Sequence, residues 1–148
     1  HDLKLAWGTA GNHTVEVVDE AGDVGAWPHV LVVEDTLYIS YQDQTNGDLQ
    51  LAVGAPGSFA LQVVDDGNHV GADSHLWRAG EGVQVAYFDG HNNDMKQAYR
   101  SGEDWQARTV TEEPGALGFH NAVVTTGGQT WGACYDYTNR TLWFRSLD

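Results

Sequence analysis

The sequence predicts an all-β fold, a β-propeller with about three four-stranded blade repeats per chain, on two observations. Residues 2–47 can be laid over residues 48–93 without a gap, a third copy covers residues 94–140, and a partial fourth covers 141–148. Each copy also divides into four short extended segments separated by turn formers. Four antiparallel strands in a repeat of this length are typical of a propeller blade. We therefore expect residues 1–148 to form a single propeller domain.

The first repeat shows how the extended segments follow one another. Residues 3–7 and 13–19 alternate apolar and polar side chains, as half-buried strands do. Two further segments, 29–33 and 37–41, complete the set of four. The stretches between them are rich in Gly, Asp and Asn, which favour turns. No segment combines a 3.6-residue period with helix caps, so we expect almost no helix.

A series of short motifs recurs in the same order along the whole chain. In the second repeat they read Asp48-Leu49-x-Leu51-Ala52, Gly57-x-Phe59, Val63-Val64-Asp65, Val70-Gly71-x-x-Ser74 and Tyr87-x-Asp89-x-x-Asn92. This order resembles the bacterial β-propeller repeats with Asp-Leu-Lys-x-Ala, Val-Asp, Val-Gly-x-x-Ser and Tyr-x-Asp-x-x-Asn motifs. The resemblance implies that the segment after Val-Gly is the innermost strand of a blade and that the Tyr-x-Asp segment is the second. It implies that the Asp-Leu segment is the third strand and the Val-Val-Asp segment the outermost. It implies little about activity, because propellers host many functions.

The phase of the repeat predicts unfinished blades at both ends of the chain. The chain starts with a third and an outermost strand, continues with two complete blades, and ends with an innermost, a second and a third strand. That makes one strand more than three blades need, and unfinished blades leave unpaired edges. We therefore predict a homodimer that forms a six-bladed ring, in which terminal strands of one copy complete a blade of the other. The alternative is that the chain is part of a longer propeller and pairs with another propeller fragment.

Composition narrows the range of partners and compartments. The chain has 7 basic and 21 acidic residues and a formal charge of -14, which disfavours nucleic acid and anionic lipid. No apolar run approaches the roughly 20 residues of a membrane span, so we expect no membrane insertion. The single Cys134 excludes an intrachain disulfide, and we interpret it as a small buried strand residue. The acidic, Trp-rich and Lys-poor composition favours an extracellular or periplasmic location, and a first residue other than Met suggests a processed or excised chain.

Histidines at equivalent repeat positions suggest a metal site. His29 and His75 are equivalent and lie near the start of the expected innermost strand. In the third copy this position is Ala122, but His120 lies two residues earlier and would share a strand face with it. Imidazoles from successive innermost strands would suit zinc, iron or copper near a propeller axis. The alternative is that these histidines pack between blades and hydrogen-bond to the backbone.

A second candidate site depends on residues that differ between the repeats. Trp27, Asp73 and His120 occupy one repeat position, and an aromatic ring there could stack on a sugar or another flat ligand. We include Trp77 among the candidate ligand-binding residues. The alternative is burial of these side chains between blades. Because the residue changes from copy to copy, one asymmetric site fits better than an identical pocket in every blade.

The Asp-x-x-Asn turns offer a calcium hypothesis and a structural one. Asp43-x-x-Asn46, Asp89-x-x-Asn92 and Asp136-x-x-Asn139 recur in the three copies. Carboxylate and amide oxygens at this spacing could hold calcium. Asp and Asn also close turns through their own backbone hydrogen bonds. We favour turn closure, because one structural role explains a pattern that recurs in every repeat.

Three functions remain open on the sequence, and binding is favoured over catalysis. The first is a ligand-binding or interaction propeller with carbohydrate as the leading ligand class. The second is a metal-binding protein or metal-dependent enzyme that uses the histidines near the axis. The third is a structural module of a larger secreted protein. No nucleophile elbow or phosphate loop is present, and no catalytic carboxylate pair stands out among the acidic residues.

Overall fold

The computed structural model describes residues 1–148 and contains thirteen β-strands and no helix. The all-β prediction is therefore confirmed. The strands are β1 Leu3–Thr9, β2 Asn12–Asp19, β3 Val24–Val33, β4 Thr36–Asp43, β5 Asp48–Ala55, β6 Ser58–Asp65, β7 Val70–Ala79, β8 Gly82–Asp89, β9 Asp94–Ser101, β10 Asp104–Thr109, β11 Phe119–Thr126, β12 Gln129–Asp136 and β13 Thr141–Ser146. The long strands β3 and β7 begin earlier than the sequence suggested, because each continues through an irregular segment back to the Val-Gly motif.

The strands form four antiparallel sheets in chain order. The first sheet is β1-β2, the second β3-β4-β5-β6, the third β7-β8-β9-β10 and the fourth β11-β12-β13. Each strand pairs with its neighbour along the chain, so every connection inside a sheet is a hairpin. This grouping of two, four, four and three strands is the one that the phase of the repeat predicts. None of the elements is a helix with the length and hydropathy of a membrane span.

The Asp-x-x-Asn motifs close the hairpin turns between successive strands. Asp43 Oδ1 accepts hydrogen bonds from the backbone N–H groups of Thr45 and Asn46 at 2.8 and 3.1 Å. The Asn46 side-chain amide donates to Asp43 Oδ2 at 2.7 Å. The same amide-to-carboxylate bond recurs in the third and fourth sheets, from Asn92 to Asp89 and from Asn139 to Asp136. The geometry is that of turn closure, in which both carboxylate oxygens are already used.

Three clusters of buried side chains form the core, and each lies between two successive sheets. Leu3 of the first sheet packs with Tyr41 of the second. Leu49 of the second sheet belongs to one cluster with Val85 of the third. The last cluster joins the third and fourth sheets, and its members are Trp77, Ala86, Met95, Leu117, Cys134, Trp143 and Leu147. The sheets are therefore stacked face to face in chain order.

The glycine of the Val-Gly motif permits the same close approach at each junction. A Cβ atom on Gly25 would lie 2.7 Å from Leu3 Cα, and one on Gly71 would lie 2.9 Å from Leu49 Cα. Both glycines have positive φ, as does Gly118, which approaches the backbone of Asp94 in the same way. A side chain here would collide with the backbone of the preceding sheet. The repeated motif thus encodes a repeated junction.

A buried tyrosine adds a polar link at the first two junctions. Tyr41 O–H donates to Asp19 at 2.7 Å, and Tyr87 O–H makes the equivalent bond to Asp65. Burial alone would raise the pKa of Asp65, but hydrogen bonds from Lys96, Tyr87 and the Gly67 N–H hold it below its ordinary value. In the fourth sheet the tyrosine position is Cys134, which is buried and free. Burial raises the pKa of this thiol, as suits a packing residue.

Candidate functional site

Strands β3, β7 and β11 are irregular at one repeat position, which defines the candidate site. The pairing register shifts between Ala26 and His29, and again at the equivalent places in β7 and β11. Within these shifts Trp27, Asp73 and His120 have φ values of 52°, 50° and 55°. Positive φ costs a non-glycine residue about 1–3 kcal/mol and is often found at functional sites. Bulges of this kind re-aim a side chain, and here they do so in three neighbouring strands.

Hydrogen bonds between different sheets hold these three strands side by side. Ser74 Oγ donates to the Trp27 carbonyl at 3.0 Å, which ties β7 to β3. The backbone N–H of His120 donates to Asp73 Oδ2 at 2.8 Å, which ties β11 to β7. Ser74 Oγ is also within 2.8 Å of Ser40 Oγ in a buried contact. The strained segments are therefore braced by their neighbours.

These segments line a small, shallow and open hollow of about 220 Å³. Its lining combines one aromatic ring, one carboxylate, two imidazoles and an amide. The lining residues are Trp27, Pro28, His29, Asp73, Ser74, His75 and Asn121. Trp27 remains 51% exposed, so part of its ring is available to a ligand.

The two histidines lie ring to ring and are neutral at neutral pH. Their ring centroids are 4.2 Å apart, with the planes tilted by 31°. Burial lowers the pKa of His29. Burial and the neighbouring His29 lower the pKa of His75 to about 4, although a hydrogen bond with the Val123 backbone acts in the opposite direction. The Asp73 carboxylate is therefore the only charged group that lines the hollow at neutral pH.

Asn121 has a side-chain amide whose hydrogen-bonding capacity is unused. Both polar atoms of its side-chain amide are buried, and neither has a hydrogen-bond partner. An unsatisfied buried polar group costs about 1–3 kcal/mol, so such groups normally meet a ligand or an ordered water molecule. Asn121 lines the hollow, so a rotation of its side chain would present a donor and an acceptor to a bound ligand.

The structure separates the residues that the sequence proposed for a ligand site. It places Trp27 and Asp73 at the same hollow as the histidine pair. His120 is exposed and reaches this region through its backbone N–H. The inclusion of Trp77 is corrected, because its side chain is buried in the core between the third and fourth sheets and presents no face to a ligand.

The metal hypothesis meets a specific difficulty at His29. The backbone N–H of Leu76 donates to His29 Nδ1 at 3.2 Å, so the neutral ring carries its proton on Nε2. A histidine that binds a metal usually donates from its second nitrogen, which is the opposite arrangement. No group of three or more His, Cys, Asp or Glu side chains is placed to hold a metal ion. His29, His75 and His120 therefore do not form a complete site within one chain.

Sequence reasoning missed three residues of the hollow, Pro28, Ser74 and Asn121. They occupy one repeat position, which lies between the position of Trp27 and the position of His29. Their position next to the candidate residues could have identified them, because a bulge turns neighbouring side chains toward the same region. Ser74 is the serine of the Val-Gly-x-x-Ser motif, but Pro28 and Asn121 replace it in the other copies, so the motif does not mark the position in every repeat.

Larger depressions occur elsewhere but lack these features. The largest, about 1000 Å³, is an open groove beside the edge strands β6 and β10. Arg100 lies over the ring of Trp105 there, 4.6 Å from its centroid, and donates to Gln62. Gln62 accepts hydrogen bonds from both Arg100 and Trp105, and no buried polar atom without a partner lines this groove.

Comparison of the chain with family models, with curated proteins and with solved structures gives no match. The resemblance to bacterial propeller repeats therefore stays a prediction.

Proposed function

We propose that the four sheets are blades or part-blades of a β-propeller, with β3, β7 and β11 as the innermost strands. Three observations support this arrangement. The strand order repeats, the Val-Gly junction repeats, and each sheet packs on the one before it. Contacts among β3, β7 and β11 fit strands that converge on one axis.

We further propose that the protein binds a small, neutral, hydroxyl-rich ligand in the hollow beside Trp27, with carbohydrate as the leading class. The observation that carries the proposal is the buried, unpartnered Asn121 amide in a hollow that also holds an exposed indole and a carboxylate. An indole face packs on the apolar face of a sugar ring. Asp73, Asn121 and the neutral imidazoles supply directional hydrogen bonds to hydroxyl groups.

Size and charge restrict the ligand further. The volume is below the roughly 300–1,000 Å³ of a pocket for a drug-sized ligand, so the hollow accommodates about one sugar ring. A charge of -14 and the Asp73 carboxylate disfavour anions. About twelve non-hydrogen atoms at about -0.3 kcal/mol each give about -4 kcal/mol, which corresponds to a Kd of about 1 mM. Useful binding would then come from two or more sites on one assembly.

The test is ligand-observed and protein-observed NMR with a panel of neutral monosaccharides. We expect millimolar binding by at least one sugar, with shift changes at the Trp27 indole and the Asn121 amide. Trp27→Ala and Asp73→Asn should each weaken it at least tenfold. Trp7→Ala, which removes an exposed indole from β1, is the matched control and should leave binding unchanged.

Three outcomes would contradict the proposal. Binding that survives both substitutions at the hollow would place the ligand elsewhere. Binding of choline but of no sugar would show that the indole and the carboxylate form a cation site instead. Absence of binding both by the monosaccharide panel and by choline would favour the third function, a structural module.

A metal-binding function is the second candidate, because His29 and His75 lie ring to ring. It requires His29 to give up the hydrogen bond from Leu76, or a ligand from another molecule. Titration with zinc or copper, followed by the histidine ring resonances, tests it. Uptake of one equivalent that His75→Gln abolishes would establish this function.

A further inference from the structure

Apolar side chains are exposed on the two end faces of the stack of sheets. One end is the side of the fourth sheet that carries Val124, Trp131, Tyr135, Leu142 and Phe144, here called the aromatic face. Direct pairing places Tyr135 opposite Leu142 and Val124 opposite Trp131, so these residues share one side of the sheet. The other lies near the opposite end, where the two-stranded first sheet covers only part of the second sheet. It is the side of β3 that carries Val30 and Val32, here called the valine face.

In other copies of the repeat, the residues equivalent to those on both faces are buried against a neighbouring sheet. Leu142 occupies the position of Leu49 and Met95, which are each 0% exposed beneath the following sheet, whereas Leu142 is 72% exposed. Val30 occupies the position of Leu76, which is 2% exposed against the preceding sheet, whereas Val30 is 54% exposed. Each end face is thus one half of the junction that the chain forms internally.

We propose that a second copy of this chain covers these faces, with the aromatic face of each copy packed on the valine face of the other. The proposal rests on the propeller arrangement but not on the ligand. It continues an interface already present between successive sheets. The aromatic face is also free of charged side chains, although each chain carries -14, so apolar burial has to drive association. Two such contacts related by a two-fold axis close a ring.

This pairing accounts for the thirteenth strand. β1 and β13 occupy the same repeat position, the third strand of a blade. In the ring the fourth sheet of one copy and the first sheet of the other belong to one blade. That blade has room for only one third strand, either β13 or β1. β13 is fixed by pairing along β12 and by the buried Leu147, whose carbonyl accepts from Arg108 at 2.6 Å. β1 is held as well, by pairing along β2 and by the buried Leu3. The proposal therefore requires the partner's β1 to leave the third position, so that Leu142 of β13 takes the place of the partner's Leu3.

The experiment is sedimentation velocity and light scattering of the purified 148-residue chain. We expect a dimer of twice 16.1 kDa at micromolar concentration. Leu142→Asp and Val30→Asp should each raise the dimer Kd at least tenfold. Both side chains are exposed within one copy, so each variant should retain the wild-type circular dichroism spectrum. Ala107→Asp places the same charge on an exposed β10 position of the third sheet, which has a sheet on either side within the chain, and should leave the dimer intact.

Mixing separates this pairing from others. An equimolar mixture of the Leu142→Asp and Val30→Asp variants contains pairs with one undamaged contact, so it should form more dimer than either variant alone. A wild-type monomer would overturn the proposal and would indicate that further repeats of a longer chain cover these faces. A dimer that Leu142→Asp breaks and Val30→Asp does not would also overturn it. The hollow is built by one chain, so sugar binding by the monomeric variants shows separately whether the ligand proposal stands.

Discussion

Backbone strain within strands coincides with the hollow, because Trp27, Asp73 and His120 have positive φ inside strands whereas the other such non-glycine residues lie in turns. Trp27 and Asp73 keep positive φ because the hydrogen bond from Ser74 and the neighbouring strands hold them there. An indole gains nothing in this conformation, which glycine adopts without cost. Its presence at a braced, half-exposed position is consistent with a role that requires the ring.

The strain at Trp27 can be measured by comparing two truncations. Trp27→Ala and Trp27→Gly remove the same ring, but only glycine tolerates a φ of 52° without cost. We expect the glycine variant to be more stable by about 1 kcal/mol, the reverse of the order usual in a strand. Urea unfolding at neutral pH gives the comparison. An alanine variant at least as stable as the glycine variant would show that the bulge is unstrained.

The histidine pair should make stability depend on pH. The pKa of His75 is about 4 in the folded chain and about 6.5 when exposed, so between these values the unfolded state binds more protons. Stability contributed by His75 is therefore complete above about pH 6.5 and is lost as the pH falls toward 4. We expect His75→Gln to lose less stability than the wild type between pH 7 and pH 5, judged by urea midpoints. His91→Gln, which changes an exposed turn residue, is the control and should follow the wild type; equal losses in all three proteins would contradict the prediction.

At the scale of the element, each junction between sheets depends on a glycine. Its positive φ and the lack of space for a Cβ atom both disfavour any other residue. Gly71 has a φ of 98°, and a Cβ there would also collide with the backbone of Leu49. Gly57 has a φ of 83° but open space around it, so it isolates the conformational cost. We expect Gly57→Ala to cost about 1 kcal/mol and Gly71→Ala at least about 3 kcal/mol, because overpacking adds to the strain. Equal losses in thermal or urea unfolding would show that the sheets can move apart without cost.

The strands were predictable from the sequence because their motifs recur in three copies, whereas the candidate site was not. The strands, their hairpin turns and the grouping into sheets follow from motifs such as Asp43-x-x-Asn46, because each motif performs one local task. The bulges depend on which residue takes positive φ, and Trp27 and His120 give no local signal of that. The burial of Trp77 could have been inferred, since Leu31 and Val124 at the equivalent positions are also apolar. Asn121 could not, because its missing partners are visible only in three dimensions.

At the scale of the whole molecule, charge and apolar surface act in opposite directions. Two chains that each carry -14 repel one another, and this repulsion weakens as salt shortens the Debye length from about 30 Å at 0.01 M to about 3 Å at 1 M. The apolar contact between an aromatic face and a valine face does not depend on this screening. Salt should therefore strengthen the proposed dimer, whereas an interface held by ion pairs would weaken.

We expect the dimer Kd of the wild-type chain to fall roughly tenfold between about 0.02 and 0.5 M sodium chloride, measured by sedimentation at several protein concentrations. The Ala107→Asp control carries one more negative charge and an unchanged interface, so its salt dependence should be at least as steep. Phe144→Asp puts the new charge in the contact itself, where the cost is desolvation as well as repulsion. Salt should then recover only part of its affinity. A wild-type Kd that rises with salt would show that charged groups hold the two copies together, and the pairing of the apolar end faces would be wrong.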